Sequence, residues 1–264
     1  MSWRIFLATA VILTGIVLLL NNPGYLPSSA WGYVLPIALM VFGVVLLFAG
    51  RRTPPPPAPV QISEPAGTAT RAAITLKHGV GQLKLQANQD PNLLFTGTFE
   101  GGVEQQLTHQ DGTVFLELKT PGKPASHLAY TRAQTLSWNL FLNPKLPITL
   151  HYEGGAADAK MDLSSIQLTA LEIFNGASTT DVILPQPHDT LRVLIHSGAE
   201  TARIRLPQNA LVAIRSASGQ GELQVDRTRF PEHGAGIFQS EHYADAADRI
   251  EITIHGGTGA VQVI

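Results

Sequence analysis

Two kinds of apolar pattern divide the chain. The first is continuous: from Ile5 to Gly50 there are 46 consecutive residues without Asp, Glu, Lys, Arg or His, bracketed by Arg4 and by Arg51 and Arg52. Within this stretch lie two apolar runs, Ile5 to Leu20 and Trp31 to Ala49, of 16 and 19 residues. Asn21, Asn22, Pro23, Gly24, Pro27, Ser28 and Ser29 separate them and read as a turn. A helix needs about 20 apolar residues to cross a bilayer. The spacing therefore predicts a two-helix transmembrane hairpin over residues 1–52, with Trp3, Tyr25, Trp31 and Tyr33 placed where amphipathic rings favour the interface. A cleaved signal peptide is the rival reading of the first run, with Ser28-Ser29-Ala30 as its cleavage site; the second run anchors the chain in either case.

The two runs repeat one another. Val11 to Leu20 aligns with Leu39 to Phe48 at an offset of 28, with Gly15 and Gly43 at matching places, where two backbones could approach closely. Neither run contains an ionisable residue, which argues against a transport or proton-relay role. The three arginines lie outside the runs and the turn carries no charge, so the positive-inside rule puts both ends in the cytoplasm. Residues 53–70 read as a linker: Pro54 to Pro57 and Pro59 favour a stiff polyproline II spacer, and Gln61 to Thr70 adds small and polar residues.

The second pattern is alternating and fills residues 71–264. Two short strands meet at a glycine, with apolar residues five and three positions upstream: Ile74 and Leu76 before Gly79, Leu150 and Tyr152 before Gly155, Leu171 and Ile173 before Gly176. Val193 and Ile195 before Gly198, and Ile252 and Ile254 before Gly257, continue it; Gly219 has Ser216 at the inner place, a weaker match. From Gly155 to Gly176, Gly198 and Gly219 the intervals are 21, 22 and 21 residues. Downstream, the apolar pair falls at Leu83 and Leu85, Leu223 and Val225, and Val261 and Val263 after Gly-x-Gly, and at Met161 and Leu163, Val182 and Leu184, and Ile204 and Leu206 after Gly-Ala.

A period of two turns one face of each strand inward. Two strands per repeat of about 21 residues predict stacked rungs. The fold class is thus membrane-anchored all-β, a repetitive β-solenoid-like domain behind the hairpin, with a β-sandwich as the alternative. Gly155 through Asp226 are expected as successive rungs, with Leu184 over Leu206 and Ile173 over Ile195. Glycine is expected at the corners for positive φ, and Asp226 to Arg249 as a cap.

Composition narrows the chemistry. Residues 71–264 hold 15 Lys or Arg and 19 Asp or Glu, a balance of 15 − 19 = −4, with no basic stripe for nucleic acid. Cysteine is absent, which removes thiol nucleophiles and thiolate metal sites. No histidine spacing matches a metal motif. His196 and His255 each lie two residues before a repeat glycine, the position held by Lys77, Glu153 and Phe174 in other units, and read as solvent-facing turn residues. Asp158, Asp162 and Asp181 resemble no calcium repeat and read as turn residues. The Gly-x-Gly segments precede strands, unlike phosphate loops. Ser28, Ser178 and Ser197 lack a nucleophile-elbow context. No catalytic, cofactor-binding or metal-ligating residue is assigned, and no enzyme is expected.

The twin glycine-centred runs resemble the LiaI/LiaF-type transmembrane region of bacterial envelope proteins. Trp138-Asn139-Leu140, Asn143-Pro144, Pro147-Ile148, Gly155-Ala156-Ala157, Asp162-Leu163-Ser164, Gly176-Ala177-Ser178 and Gly198-Ala199 resemble the toast-rack and LiaF C-terminal domains. The resemblance implies a non-enzymatic accessory protein of cell-envelope stress signalling, held in the cytoplasmic membrane, whose partners are the lipid bilayer and a membrane protein such as a sensor kinase; it leaves a homo-oligomer open. An envelope-surface, adhesin-like structural protein is the alternative.

Overall fold

The computed structural model describes residues 11–14, 16, 36–44, 58–121, 136–198, 201–217, 221–257 and 259–264. The chain divides into two compact units, Met1–Pro55 and Pro56–Ile264. In the first unit the described residues 11–14, 16 and 36–44 are helical, and no described helix is long and apolar enough to cross a membrane. Most of the hairpin expected over 1–52 lies outside the described residues.

The second unit is built from strands: β1 (Val60–Pro65), β2 (Arg71–Ala87), β3 (Leu93–Phe99), β4 (Glu104–Gln110), β5 (Thr113–Lys119), β6 (Ser137–Leu142), β7 (Ile148–Asp162), β8 (Leu168–Asn175) and β9 (Thr179–Ile183). They continue as β10 (Thr190–Ser197), β11 (Thr201–Arg205), β12 (Leu211–Ala217), β13 (Leu223–Val225), β14 (Glu232–Gly234), β15 (Ile237–Gln239), β16 (Arg249–Gly256) and β17 (Ala260–Val263). The glycine corners divide the ladder into two halves. In one, β5, β2, β7, β8, β10, β16 and β12 run parallel in that order. In the other the order is β6, β2, β7, β9, β11, β17 and β13, again parallel. Strands β2 and β7 pass through the corner unbroken and belong to both halves. This is the solenoid-like arrangement expected from the repeat.

The inward alternation holds. The upstream pairs from Ile74 and Leu76 to Ile252 and Ile254 are all buried, as are Leu83, Leu85, Met161, Leu163, Val182, Leu184, Ile204, Val261 and Val263, and all belong to one core. Ile173 lies beside Ile195, and Val182 beside Ile204, in register. Leu206 is only partly buried, because β11 has ended one residue before it.

Three expectations need correction. First, the rungs do not stack in chain order. Strands β16 and β17 insert between β10/β11 and β12/β13, so the Gly257 unit separates the Gly198 and Gly219 units. The weak unit, with Ser216 at an apolar place, is thereby moved to the end of the stack. There β15 pairs antiparallel with β12, and β14 with β15. Phe230 and Phe238 from the 226–249 segment are buried over this end, as expected of a cap. Second, Val60–Pro65 within the expected linker is a strand. It pairs antiparallel with β3, which pairs antiparallel with β6, so both close the opposite end of the stack.

Third, Gly155, Gly176 and Gly198 do not have positive φ; among the repeat glycines described, Gly81 alone does, at +129°. Their need for glycine is spatial. A Cβ on Gly176 would lie 2.9 Å from the Gly155 carbonyl oxygen, and one on Gly198 would lie 2.5 Å from that of Gly176. The corners stack so closely that the backbone of each rung fills the place of a side chain on the next.

Candidate functional site

In-register parallel strands carry like positions into rows across the outer surface, because neighbouring strands lie about 4.8 Å apart. On the first half of the ladder one row runs Lys77, Glu153, Phe174, His196, His255 across β2, β7, β8, β10 and β16. The row two residues upstream includes Thr75, His151 and Glu172. The two rows interlock into a ladder of rings. His151 and Phe174 have ring centroids 5.1 Å apart, Phe174 and His196 stack at 4.2 Å and 11°, and His196 and His255 stack at 4.8 Å and 14°.

Carboxylates flank one end of the ladder. His151 is held by Glu172 at Nδ1 and by Glu153 at Nε2, each at 3.0 Å. Lys77 Nζ lies 3.5 Å from Glu117 and 3.8 Å from Glu153. These side chains are substantially exposed, so each such pair contributes little, roughly 0–1 kcal/mol. They fix side-chain positions on an otherwise flat face. His196 titrates below the ordinary histidine value, first through partial burial and then through the neighbouring His255 charge, with Glu172 opposing. A shallow open depression lies among His151, Glu153, Phe174, Asn175 and His196.

His196 and His255 thus stand on strand faces and not in turns, a correction to the expectation from spacing. The row itself was correctly grouped, since Lys77, Glu153 and Phe174 occupy the same position. The aspartates do not converge. Asp158 accepts from the Thr179 amide at 3.2 Å, Asp162 accepts from the Ser164 hydroxyl at 2.6 Å, and Asp181 pairs with Arg205 at 2.9 Å. Among the described residues no three His, Asp or Glu side chains are grouped to hold a metal ion. Gly79-Val80-Gly81 forms part of the bend inside β2.

Of the interior polar residues, Asn143 stands in the Asn143-Pro144 motif of the sequence, whereas His78 belongs to no motif. His78 is 1% exposed, its ring lies 4.8 Å from that of Trp138, and neither ring nitrogen has a hydrogen-bond partner among the described residues. Burial lowers its pKa to about 4. Its parity with Ile74 and Leu76 was the available signal. Asn143 is also buried; its Nδ2 donates to the carbonyls of Pro91 and Leu93 at 2.7 and 2.6 Å, and its Oδ1 accepts from the Lys145 and Leu146 amides at 2.8 and 2.9 Å. Every polar atom of that side chain is engaged, which explains an asparagine before Pro144.

The geometry has counterparts in known proteins. The model of the N-terminal domain of toast_rack, DUF2154, matches residues 59–205, more than half of the chain. No curated protein matches. Among solved structures, a candidate cell adhesion protein from Clostridium sporogenes aligns with a TM-score of 0.70 and 25% identity, over 78% of this chain and 98% of that one. A candidate adhesin from Bacteroides fragilis aligns over 80% of this chain and 99% of that one, with a TM-score of 0.32 and 10% identity. The matched segment begins one residue before β1 and ends with β11, inside the strand ladder, and the chain belongs to the toast-rack N-terminal domain family.

Proposed function

We propose that the chain is a membrane-anchored, non-enzymatic accessory protein of the bacterial cell envelope, whose β-unit docks on a membrane protein such as a sensor kinase and modulates its signalling. The observation that carries this reading is the outer face of the ladder: rows of side chains in register across five strands offer area rather than a deep pocket, as a protein-docking surface requires. The two apolar runs of residues 5–20 and 31–49 supply the anchor, similar to the LiaI/LiaF-type region, and the flanking arginines favour a cytoplasmic β-unit. A second reading, an adhesin-like surface protein, is favoured by the likeness to the candidate cell adhesion protein.

One experiment separates them. A photo-crosslinking residue placed at Phe174 in the full chain, in cells, should join the chain to an integral membrane protein, whereas one at Lys160, exposed on the other half of the ladder, should not. A reporter fused after Ile264 should be active in the cytoplasm. Crosslinks from neither position, with a reporter active outside the membrane, would overturn the regulatory reading in favour of the adhesin-like one.

A further inference from the structure

We propose that the open cleft at the ends of β3, β6, β2 and β7 binds an uncharged saccharide, a property separate from the docking face above. Its volume is about 500 Å³, within the range of ligand sites. Strand register brings its walls together. Phe141 on β6 is the direct partner of Thr96 on β3 and of Gln86 on β2. Asp162 ends β7 one residue beyond the Leu85–Met161 pair, which sets it beside Gln86. The loops that follow β2 and β7 add Asn88 and Ser164.

Two features of this lining select a sugar. The first is the ring. Phe174, on the other half of the ladder, is covered by rings on both sides, whereas Phe141 is 36% exposed and has no ring against it among the described residues. An aromatic face carries partial negative charge and attracts the weakly positive C–H groups on one face of a sugar ring. The second is the set of polar groups around it: the amides of Gln86 and Asn88, the hydroxyls of Thr96 and Ser164, and the Asp162 carboxylate. A sugar hydroxyl both donates and accepts, so it needs both kinds of partner in one place. The Gln86 side chain makes no hydrogen bond among the described residues, which leaves its donors and acceptor available. Asp162 accepts from the Ser164 amide and hydroxyl through Oδ1 at 3.2 and 2.6 Å, which fixes the carboxylate and leaves Oδ2 for a charge-assisted bond. Asn88 Nδ2 lies 3.5 Å from Thr96 Oγ1, a long contact that a ligand hydroxyl can replace. No lysine, arginine or histidine lines the cleft, so an acidic or phosphorylated glycan gains no partner there and meets Asp162 instead. The occupant is therefore neutral.

The test is saturation-transfer NMR on the full chain in a detergent without a sugar headgroup. The probes are neutral tetrasaccharides of glucose, N-acetylglucosamine, mannose and galactose, each alone, and a tetramer of galacturonic acid. At least one neutral probe should bind with a Kd of about 1 mM or tighter, and the acidic one should not. Phe141→Ala and Gln86→Ala should each weaken binding by at least about fivefold while melting like the wild type, and Phe141→Trp should retain it. Phe115→Ala, which removes an exposed ring from the other half of the ladder, should leave binding unchanged. No transfer to any neutral probe at about 5 mM, wild-type affinity in Phe141→Ala or Gln86→Ala, or a preference for the acidic probe would overturn the proposal.

Discussion

A valine at position 198 is expected to destabilise the β-unit by about 3–5 kcal/mol, near the upper end of single-substitution effects. The cause is a backbone-to-backbone approach. The first side-chain atom would lie 2.5 Å from the carbonyl oxygen of Gly176 and 3.0 Å from that of Asn175. Neither atom can withdraw cheaply, because the Gly176 and Ala177 amides donate to the Gly154 and Gly155 carbonyls at 3.0 and 3.1 Å, and a shift would open these bonds too. Gly79 is the internal control: a Cβ there meets nothing within 4 Å, so Gly79→Ala should change stability by less than about 1 kcal/mol. Urea melts of both variants decide the matter. Equal stabilities would mean that the corners do not stack.

Acid should weaken the fold through His78. The buried ring stays neutral in the native state with its pKa lowered to about 4, whereas the unfolded chain takes up its proton near 6.5. Between these values the unfolded state binds more protons. Stability from this group is therefore fully present above about pH 6.5, falls as pH drops toward about 4, and changes no further below it. The full difference is on the order of 3 kcal/mol. His78→Leu removes the proton site together with two buried nitrogens that lack partners, so it should be at least as stable as the wild type at neutral pH and should flatten the acid limb. The wild-type-minus-variant difference in urea midpoints, measured at about pH 7.5, 5.5 and 4.5, isolates the group from the other histidines. A difference that does not change with pH would show that His78 is already hydrated or paired.

The alternation of apolar residues identified the interior of nearly every rung, because a strand in contact with a core on one face has only one way to place its side chains. It also grouped Lys77, Glu153, Phe174, His196 and His255 into one row before any geometry was known. The order of the rungs was not legible. Parallel neighbours present nearly equivalent faces, so nothing local distinguishes β12 from β16 as the partner of β10; the polar Ser216 was the one sign that its unit lay at an end. Strand β1 was hidden because it is an edge strand with Ile62 as its single contributor to the core. The glycines were recognised as obligatory for the wrong reason, since sequence shows that a side chain is excluded but not whether dihedral angle or space excludes it. His78 was overlooked because motif searches ask about spacing, while burial follows from parity.

Membrane fractionation tests the central claim most directly: an apolar anchor holds a β-unit that folds on its own. The two measured species are the full chain and a fragment of residues 56–264, which includes β1. The account predicts that the full chain stays in the membrane pellet through an alkaline carbonate wash. The fragment should remain in the supernatant with a β-type circular dichroism spectrum and a cooperative melt. Release of the full chain by alkali, or a fragment that aggregates or pellets with membranes, would contradict it.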